Sequence, residues 1–399
     1  MPVKPLLLLA SLILAIGSQA QDRCTAQQIT ERWLQAHGKR IDLAAAAAHV
    51  PSPVERGGAV QTIPVVVHVV YNTSAENVPN STITNIIAQL NADYQALNPD
   101  YANVRTEFTD AEGNALISFC LAVVDPDGNA TTGITRTATS QTWFDPDTET
   151  DNMKSEPDGI ASWDPDHYLN IWICDISSGA TGGLVTAGYA YLPYGGIVGS
   201  DIDGLVLDYT YGTDVGDRTA THEVGHYLGL LHPWGDGGCG STDGVDDTPA
   251  TDSPTFSCSN HTLMKCDMLT QYENFMDYSN CSLMFTNGQV AIVSGILNGV
   301  RSSLLTSNGC SGEQPPGPCI PTSINGTSEG DFVDGVALGS IDNTGSGATD
   351  GPTYQDYTTQ TTTLARGSSY ALQLTSGAYD QDVVAAWIDL DGNGVFDAG

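Results

Sequence analysis

Three histidines and one glutamate within eleven residues constrain this chain more than any other stretch of its sequence. His222 and His226 are four residues apart, so on a helix their imidazoles share one face, with Glu223 next to the first of them. Gly229 suits a left-handed residue at the end of that helix, after which the chain can turn to deliver His232. Histidines at this spacing hold Zn²⁺ beside a glutamate that serves a water molecule, and three protein ligands leave the fourth position open, as in catalytic sites.

A second interpretation of the same stretch is an ordinary core helix, because Val224, Leu228 and Leu231 are apolar. Core helices seldom contain three histidines and a glutamate, since such polar groups are costly to bury without partners. The spacing therefore predicts a zinc site with the three histidines as ligands.

The complete pattern H-E-x-x-H-x-x-G-x-x-H, residues 222–232, is the metzincin signature. Residues 274–279, Asn-Phe-Met-Asp-Tyr-Ser, resemble the Met-turn that metzincins carry downstream. Together with residues 63–71 and 243–249, these segments resemble the pappalysin family of metzincins (cytophagalysins, ulilysin-like) over roughly residues 63–305. The resemblance implies an α/β (α+β) catalytic domain with a twisted mixed sheet and a zinc helix.

The resemblance also implies roles for individual side chains. Glu223 is expected to take a proton from water and hand it to the leaving amine. Tyr278 is expected to bind zinc at rest and to stabilise the oxyanion during the reaction. Met276 is expected to form an apolar floor beneath the metal and not to be a ligand.

The amino-terminal region is predicted to direct export. A lysine at position 4, an apolar run over residues 6–16 and small residues before position 21 are typical of a signal peptide, residues 1–20. The apolar run is too short to cross a bilayer and no later segment is long enough, so the protein is expected to be secreted. Residues 21–60 are interpreted as a prosegment, with Arg56 at a candidate processing site.

The net charge of −34 is distributed unevenly along the chain. The prosegment holds five basic and four acidic residues, whereas the remainder is strongly acidic. A weakly basic leader on an acidic body suggests that charge partly holds the prosegment in place. The alternative is that the acidity serves only solubility. An acidic body also argues against nucleic acid and anionic membranes as partners.

Nine cysteines in an exported chain indicate disulfides with one thiol left over. The four in the loop-rich segment after the zinc helix can pair in three ways. The resemblance implies two interleaved pairs there: Cys239–Cys266 and Cys258–Cys281. Cys120 and Cys174 lie in two predicted strands and either form a disulfide or are buried thiols. Cys310 and Cys319 lie in the linker and are predicted to close a small loop there.

Cys24 lies in the prosegment and has no obvious partner among the eight cysteines of the body. A thiolate is a good zinc ligand, and pappalysin relatives use a prosegment cysteine to occupy the open position of the metal. Cys24 is therefore a candidate latency switch. The alternatives are a stray thiol, or a disulfide that leaves one body cysteine reduced.

Residues 61–306 are predicted to form the catalytic domain. Residues 63–71, 116–124 and 168–174 are predicted strands, and a helix-periodic apolar segment follows the first of them. This order predicts a twisted, mostly parallel sheet in which His68 is a core residue. Residues 183–193 are a predicted edge strand that can receive substrate by backbone pairing.

Residues 307–320 are a predicted linker, and residues 321–399 alternate small polar and apolar residues in the manner of a small β-sandwich. This last region resembles GEVED-type accessory domains. The resembling pattern is cut at Gly399, so we expect the natural protein to continue.

Two groups of oxygen-bearing residues are predicted to bind structural Ca²⁺. The first lies after the zinc helix, where the resemblance implies calcium: Asp243, Asp246, Asp247 and Thr248. The second matches the start of an EF-hand-type loop: Asp389, Asp391, Asn393 and Asp397. A solvated acidic loop and a β-turn, respectively, are the alternatives.

Together these features predict a secreted zinc endopeptidase that is made as a latent proenzyme, acts on proteins or peptides and is monomeric. The alternative from another class is a non-catalytic surface-binding protein that acts through the C-terminal β-sandwich, which the intact Glu223 opposes. A narrower peptidase or a toxin would share the same site and differ only in the shape of its cleft.

Overall fold

A computed structural model describes residues 24–48, 59–176, 186–213, 216–235, 237–311, 332–345, 357, 360–364 and 368–377. The signal peptide, the processing site at Arg56, Cys319 and the second calcium group lie outside these residues. The chain divides into two compact units, Met1–Gly312 and Glu313–Gly399.

The described part of the first unit alternates strands and helices. Its α-helices are α1 (Ala26–Ala36), α2 (Leu43–Ala48), α3 (Asn80–Tyr94), α4 (Thr219–Tyr227) and α5 (Asn287–Asn298). Its strands are β1 (Gln61–Tyr71), β2 (Glu112–Gly113), β3 (Ile117–Leu121), β4 (Ile134–Ala138), β5 (Leu169–Cys174), β6 (Gly188–Ala190), β7 (Leu205–Asp208), β8 (Met264–Lys265), β9 (Met268–Leu269) and β10 (Phe285–Thr286).

The main sheet has the strand order β3-β1-β5-β7-β6, and β4 also pairs with β1. All these pairings are parallel except that of the edge strand β6 with β7. Residues 63–70 of β1 are buried without interruption, because strands that are covered on both faces require a continuous apolar run. The prediction of a mixed sheet is confirmed.

His68 lies on the central strand β1 and is fully buried. Its two ring nitrogens contact Thr135 Oγ1 at 2.8 Å and Asn170 Oδ1 at 3.0 Å. Burial lowers the pKa of His68 to about 4, so the ring is neutral. These contacts fit the core position that the strand pattern indicates.

The amino-terminal segment, residues 24–48, packs on the first unit mainly through apolar side chains. Ile29, Leu34, Leu43 and Ala47 are all buried. The ion pair between Arg32 and Asp147, at 2.7 Å, is largely exposed and therefore contributes little. That charge partly holds this segment stays a prediction, whereas its buried apolar side chains contribute a stabilising contact.

Three disulfides join described cysteines: Cys120–Cys310, Cys239–Cys266 and Cys258–Cys281. The last two are the pairs that the family resemblance implies. The suggested pairs Cys120–Cys174 and Cys310–Cys319 are wrong. Because β1 lies between β3 and β5, Cys120 and Cys174 are two strand spacings apart, about 9.5 Å, which exceeds the reach of a disulfide. Cys174 is a buried thiol.

The described part of the second unit contains an antiparallel sheet in the order β12-β11-β13. Its strands are β11 (Val333–Leu338), β12 (Ile341–Thr344) and β13 (Leu372–Ser376). This sheet fits an all-β region, while the full sandwich stays a prediction. In neither unit do the described residues include a helix that is long and apolar enough to span a membrane.

Candidate active site

The metal-binding motif lies on α4 and on the turn that follows it. Every residue of α4 from Ala220 to Tyr227 is buried. Gly229 has a φ of +94°, and a Cβ there would lie 2.9 Å from Cγ1 of Ile296. Glycine is therefore required both by the backbone and by the close approach of α5. The turn then brings His232 next to the two histidines of the helix.

The three imidazoles converge through their Nε2 atoms. These atoms are 3.1 Å apart for His222 and His226, 3.1 Å for His226 and His232, and 3.2 Å for His222 and His232. Nδ1 of His222 lies 2.8 Å from the Phe275 carbonyl oxygen, and Nδ1 of His226 lies 2.7 Å from that of Leu230.

A carbonyl oxygen only accepts hydrogen bonds, so Nδ1 carries the proton in His222 and His226 and their Nε2 atoms present lone pairs. Burial lowers the pKa of His222 to about 3 and that of His226 well below its ordinary value. The Nε2 lone pairs of His222 and His226 face each other with no proton between them and therefore repel. A cation bound by both nitrogens would remove this repulsion. The donor set therefore fits Zn²⁺, with backbone carbonyls fixing the tautomers.

Cys24 and Glu223 complete this cluster. The Cys24 Sγ lies 3.5 Å from Glu223 Oε2, and it groups with the three histidines as atoms that could share one metal ion. The Cys24 backbone pairs in parallel with Gly188 of the edge strand β6. Burial raises the pKa of Glu223 to about 8, which the contact with Cys24 partly offsets.

Tyr278 and Met276, the two residues singled out in the predicted Met-turn, both lie close to the histidine cluster. The Tyr278 hydroxyl donates to the Cys24 carbonyl oxygen at 2.9 Å and lies 3.3 Å from His232 Nε2. Met276 is fully buried beneath α4, and a Cβ at Gly225 would lie 2.5 Å from its sulfur. Gly225 is thus needed for the packing of Met276 against α4.

The turn itself is positioned by α5. Asn274 Oδ1 accepts from the Met276 backbone N–H at 2.9 Å, and its side chain exchanges two hydrogen bonds of 3.0 Å with Gln289. Gln289 also belongs to the capping box at the start of α5 with Thr286. The amide network therefore links the helix cap to the floor of the site.

Two residues at the site were not predicted. Trp234 stacks on the ring of His232 with centroids 4.4 Å apart, and an aromatic residue two positions after the third histidine is a signal that could have indicated it. Arg218, which precedes α4, pairs with Asp93 and Asp100. A pocket beside Glu223 has several polar side chains in its lining: Asp217, Arg218, Thr219, Asp277, Ser279, Asn280 and Ser282.

The first group of predicted calcium ligands is brought together only in part. Both carboxylate oxygens of the buried Asp243 accept from the Thr248 hydroxyl, at 2.9 and 2.8 Å, and burial raises the pKa of Asp243 to about 7. Asp247 Oδ2 accepts from the Gly288 backbone N–H, while its Oδ1 is buried with no hydrogen-bond partner among the described residues. Asp246 is exposed.

Comparisons with known proteins agree on one family. A family model described as Peptidase_M43, pregnancy-associated plasma protein-A, matches residues 154–298. The solved structure of mature mirolysin from Tannerella forsythia in complex with a cleaved peptide is 37% identical, with a TM-score of 0.57, and the match covers 62% of this chain and 96% of that one. A promirolysin variant from the same organism is 34% identical, with a TM-score of 0.59, 70% of this chain and 92% of that chain being covered.

Curated relatives match over shorter stretches. Extracellular metalloprotease 1 of Coccidioides posadasii is 41% identical over 75 residues, which is 18% of this chain and 27% of the relative. An extracellular metalloprotease of Colletotrichum graminicola is 37% identical over 89 residues, 21% of this chain and 32% of the relative. The chain thus spans about a third or less of the length of these curated relatives.

Proposed function

Because this chain belongs to the pappalysin peptidase family, we propose that it is a secreted zinc endopeptidase, made as a latent proenzyme, that hydrolyses peptide bonds of extracellular proteins. The observation that carries the proposal is the convergence of three imidazole Nε2 atoms, within 3.2 Å of one another, beside the Glu223 carboxylate. The relatives that are named extracellular metalloproteases support export by the signal peptide at residues 1–20.

His222, His226 and His232 would hold the zinc ion through their Nε2 atoms. When bound, Zn²⁺ supplies a Lewis acid that polarises a peptide carbonyl and increases the acidity of water. Glu223 accepts the proton of the attacking water and donates it to the amine of the leaving product. Its position supports this role, because Oε2 lies 3.5 Å from the Cys24 sulfur, which groups with the three histidines.

Tyr278 is the second side chain that would stabilise the reaction. Its hydroxyl lies 3.3 Å from His232 Nε2, close enough to the ligand cluster to donate a hydrogen bond to the oxyanion that develops on the substrate carbonyl. Met276 fixes α4 from below through its contact at Gly225.

Latency rests on Cys24 and the prosegment, residues 21–60. The Cys24 thiol lies at the point where the three ligand nitrogens and Glu223 meet, so it takes the place that water needs. Its backbone pairs with the edge strand at Gly188 and thereby covers the strand that substrate would join. Cleavage near Arg56 and release of the segment would clear both positions.

Calcium and the β-sandwich complete the proposal. Asp243, Asp247 and Thr248, with Asp246 nearby, would bind a structural Ca²⁺, which would offset the cost of burying Asp243 and pair the unsatisfied Asp247 Oδ1. The second group proposed for calcium, in the C-terminal region, is Asp389, Asp391, Asn393 and Asp397. Residues 321–399 would form an accessory β-sandwich.

The direct test measures zinc and turnover on the mature chain. One zinc per chain is expected in the wild type and in Glu223→Ala, whereas His226→Ala should lose the metal. Glu223→Ala should lose peptide hydrolysis by several orders of magnitude, because it retains the metal but not the base. Glu107→Ala, an exposed glutamate outside the site, is the control. Zinc-free active protein, or more than a tenth of wild-type turnover in Glu223→Ala, would refute the proposal.

A further inference from the structure

Trp234 forms an aromatic wall at the side of the ligand cluster. Its ring stacks on His232 with an interplanar angle of 11°, and it meets the Tyr278 ring edge-on at a centroid distance of 4.9 Å. Stacking at this distance holds the imidazole plane and leaves the opposite face of the indole directed away from His232. The roles proposed for Glu223 and Tyr278 do not involve that face of the indole.

The amino-terminal segment covers this wall. Cys24 and Ala26 form one buried apolar cluster with Trp234 and Tyr278, and Ala26 is fully buried in it. Trp234 is only 7% exposed with the segment in place. Departure of the segment would remove Cys24 and Ala26 from this cluster and expose apolar surface of Trp234 next to the reacting groups. Apolar surface beside polar catalytic groups is typical of a ligand subsite.

We infer that Trp234 and Tyr278 form a substrate subsite that takes an apolar side chain of a residue close to the scissile bond. This inference rests on the proposed function, and it names a recognition element within it. In the latent chain, Ala26 is a small apolar side chain that shares the buried cluster with Trp234, and it belongs to the segment that a substrate would replace. Larger apolar side chains cover more of the indole and gain more from the contact.

The subsite is separate from the pocket beside Glu223. Among the described residues, the lining of that pocket includes the polar side chains of Asp217, Asn280 and Ser282, and Trp234 does not border it. Tyr278 lines the pocket and also contacts Trp234, so it lies between the two surfaces. A substrate would therefore place two different side chains in the two positions.

The test pairs enzyme variants with matched peptides. The full chain, after maturation, is assayed as wild type, Trp234→Phe and Trp234→Ala on peptides that carry Gly, Ala, Leu or Phe at each position flanking the cleaved bond. At one position the wild type should prefer Leu or Phe to Gly, by about 10-fold or more in kcat/KM. This ratio should fall about 3-fold in Trp234→Phe and nearly to one in Trp234→Ala.

The ratio of kcat/KM for Leu or Phe peptides to that for the Gly peptide distinguishes substrate recognition by Trp234 from a structural role. Loss of His232 positioning would lower kcat/KM for all peptides by the same factor and leave this ratio unchanged. An equal loss on every peptide, or an unchanged ratio in both variants, overturns the inference. If Trp234→Ala does not fold or lacks zinc, an unchanged ratio in Trp234→Phe alone overturns it. Absence of cleavage by the wild type refutes the proposed function and this inference with it, whereas cleavage with an unaltered ratio refutes this inference alone.

Discussion

Truncation of Leu34 provides a sharp test of how the amino-terminal segment keeps the site closed. The Leu34 side chain is 2% exposed and packs on Gly195, where a Cβ would lie 2.2 Å from Leu34 Cδ2. Burial of a leucine contributes about 1.5–3 kcal/mol, and its truncation in a core costs about 2–5 kcal/mol. We therefore expect Leu34→Ala to weaken docking by about 2 kcal/mol, which increases the open fraction about 30-fold.

Arg32→Ala is the matched control within the same helix. The pair between Arg32 and Asp147 is short, at 2.7 Å, but both side chains are largely exposed. Exposed ion pairs contribute about 0–1 kcal/mol, so this variant should increase the open fraction by about 5-fold at most.

The assay measures hydrolysis of a fluorogenic peptide by each intact proenzyme, relative to the mature wild type. Arg56→Ala is added to every proenzyme to prevent processing, and intact mass is checked before and after the measurement. Leu34→Ala should exceed the parent proenzyme about 30-fold and Arg32→Ala by a small factor. If Leu34→Ala stays as silent as the parent, or if Arg32→Ala is the more active of the two, apolar burial does not hold the segment in place.

Three further outcomes follow from the same contacts. Cys24→Ala should give measurable activity before any cleavage near Arg56, and equal latency with and without the thiol would show that another group blocks the site. A calcium-selective chelator should lower the Tm, because removal of a ligand that binds the folded state destabilises it by mass action. Asp243→Asn should abolish most of that shift. An unchanged Tm in the presence of the chelator would count against calcium binding. Arg301 pairs with the buried Asp203 at 2.8 Å. Arg301→Met should lower the free energy of unfolding, measured by urea titration, by about 3–5 kcal/mol, because Asp203 is then buried without its cation. A loss under about 1 kcal/mol would contradict this expectation.

The ligand set of the site is determined by local sequence. A four-residue separation puts His222 and His226 on one helical face whatever the rest of the chain does, because the α-helix repeats every 3.6 residues. The left-handed break at Gly229 and the buried run in β1 likewise depend on neighbouring residues, and both lie where the sequence predicts them. Such features could be predicted because the atoms that decide them are close along the chain.

The tertiary structure alone decided which distant residues meet. Cys120 pairs with Cys310, 190 residues away, whereas the strand order puts β1 between Cys120 and Cys174 and keeps those two apart. Trp234 stacks on His232 and shares a buried cluster with Cys24, which lies 210 residues earlier in the chain. The spacing of nearby residues does not encode the order in which strands pair or the faces that pack together, so contacts of this kind follow from the packed chain and not from its motifs.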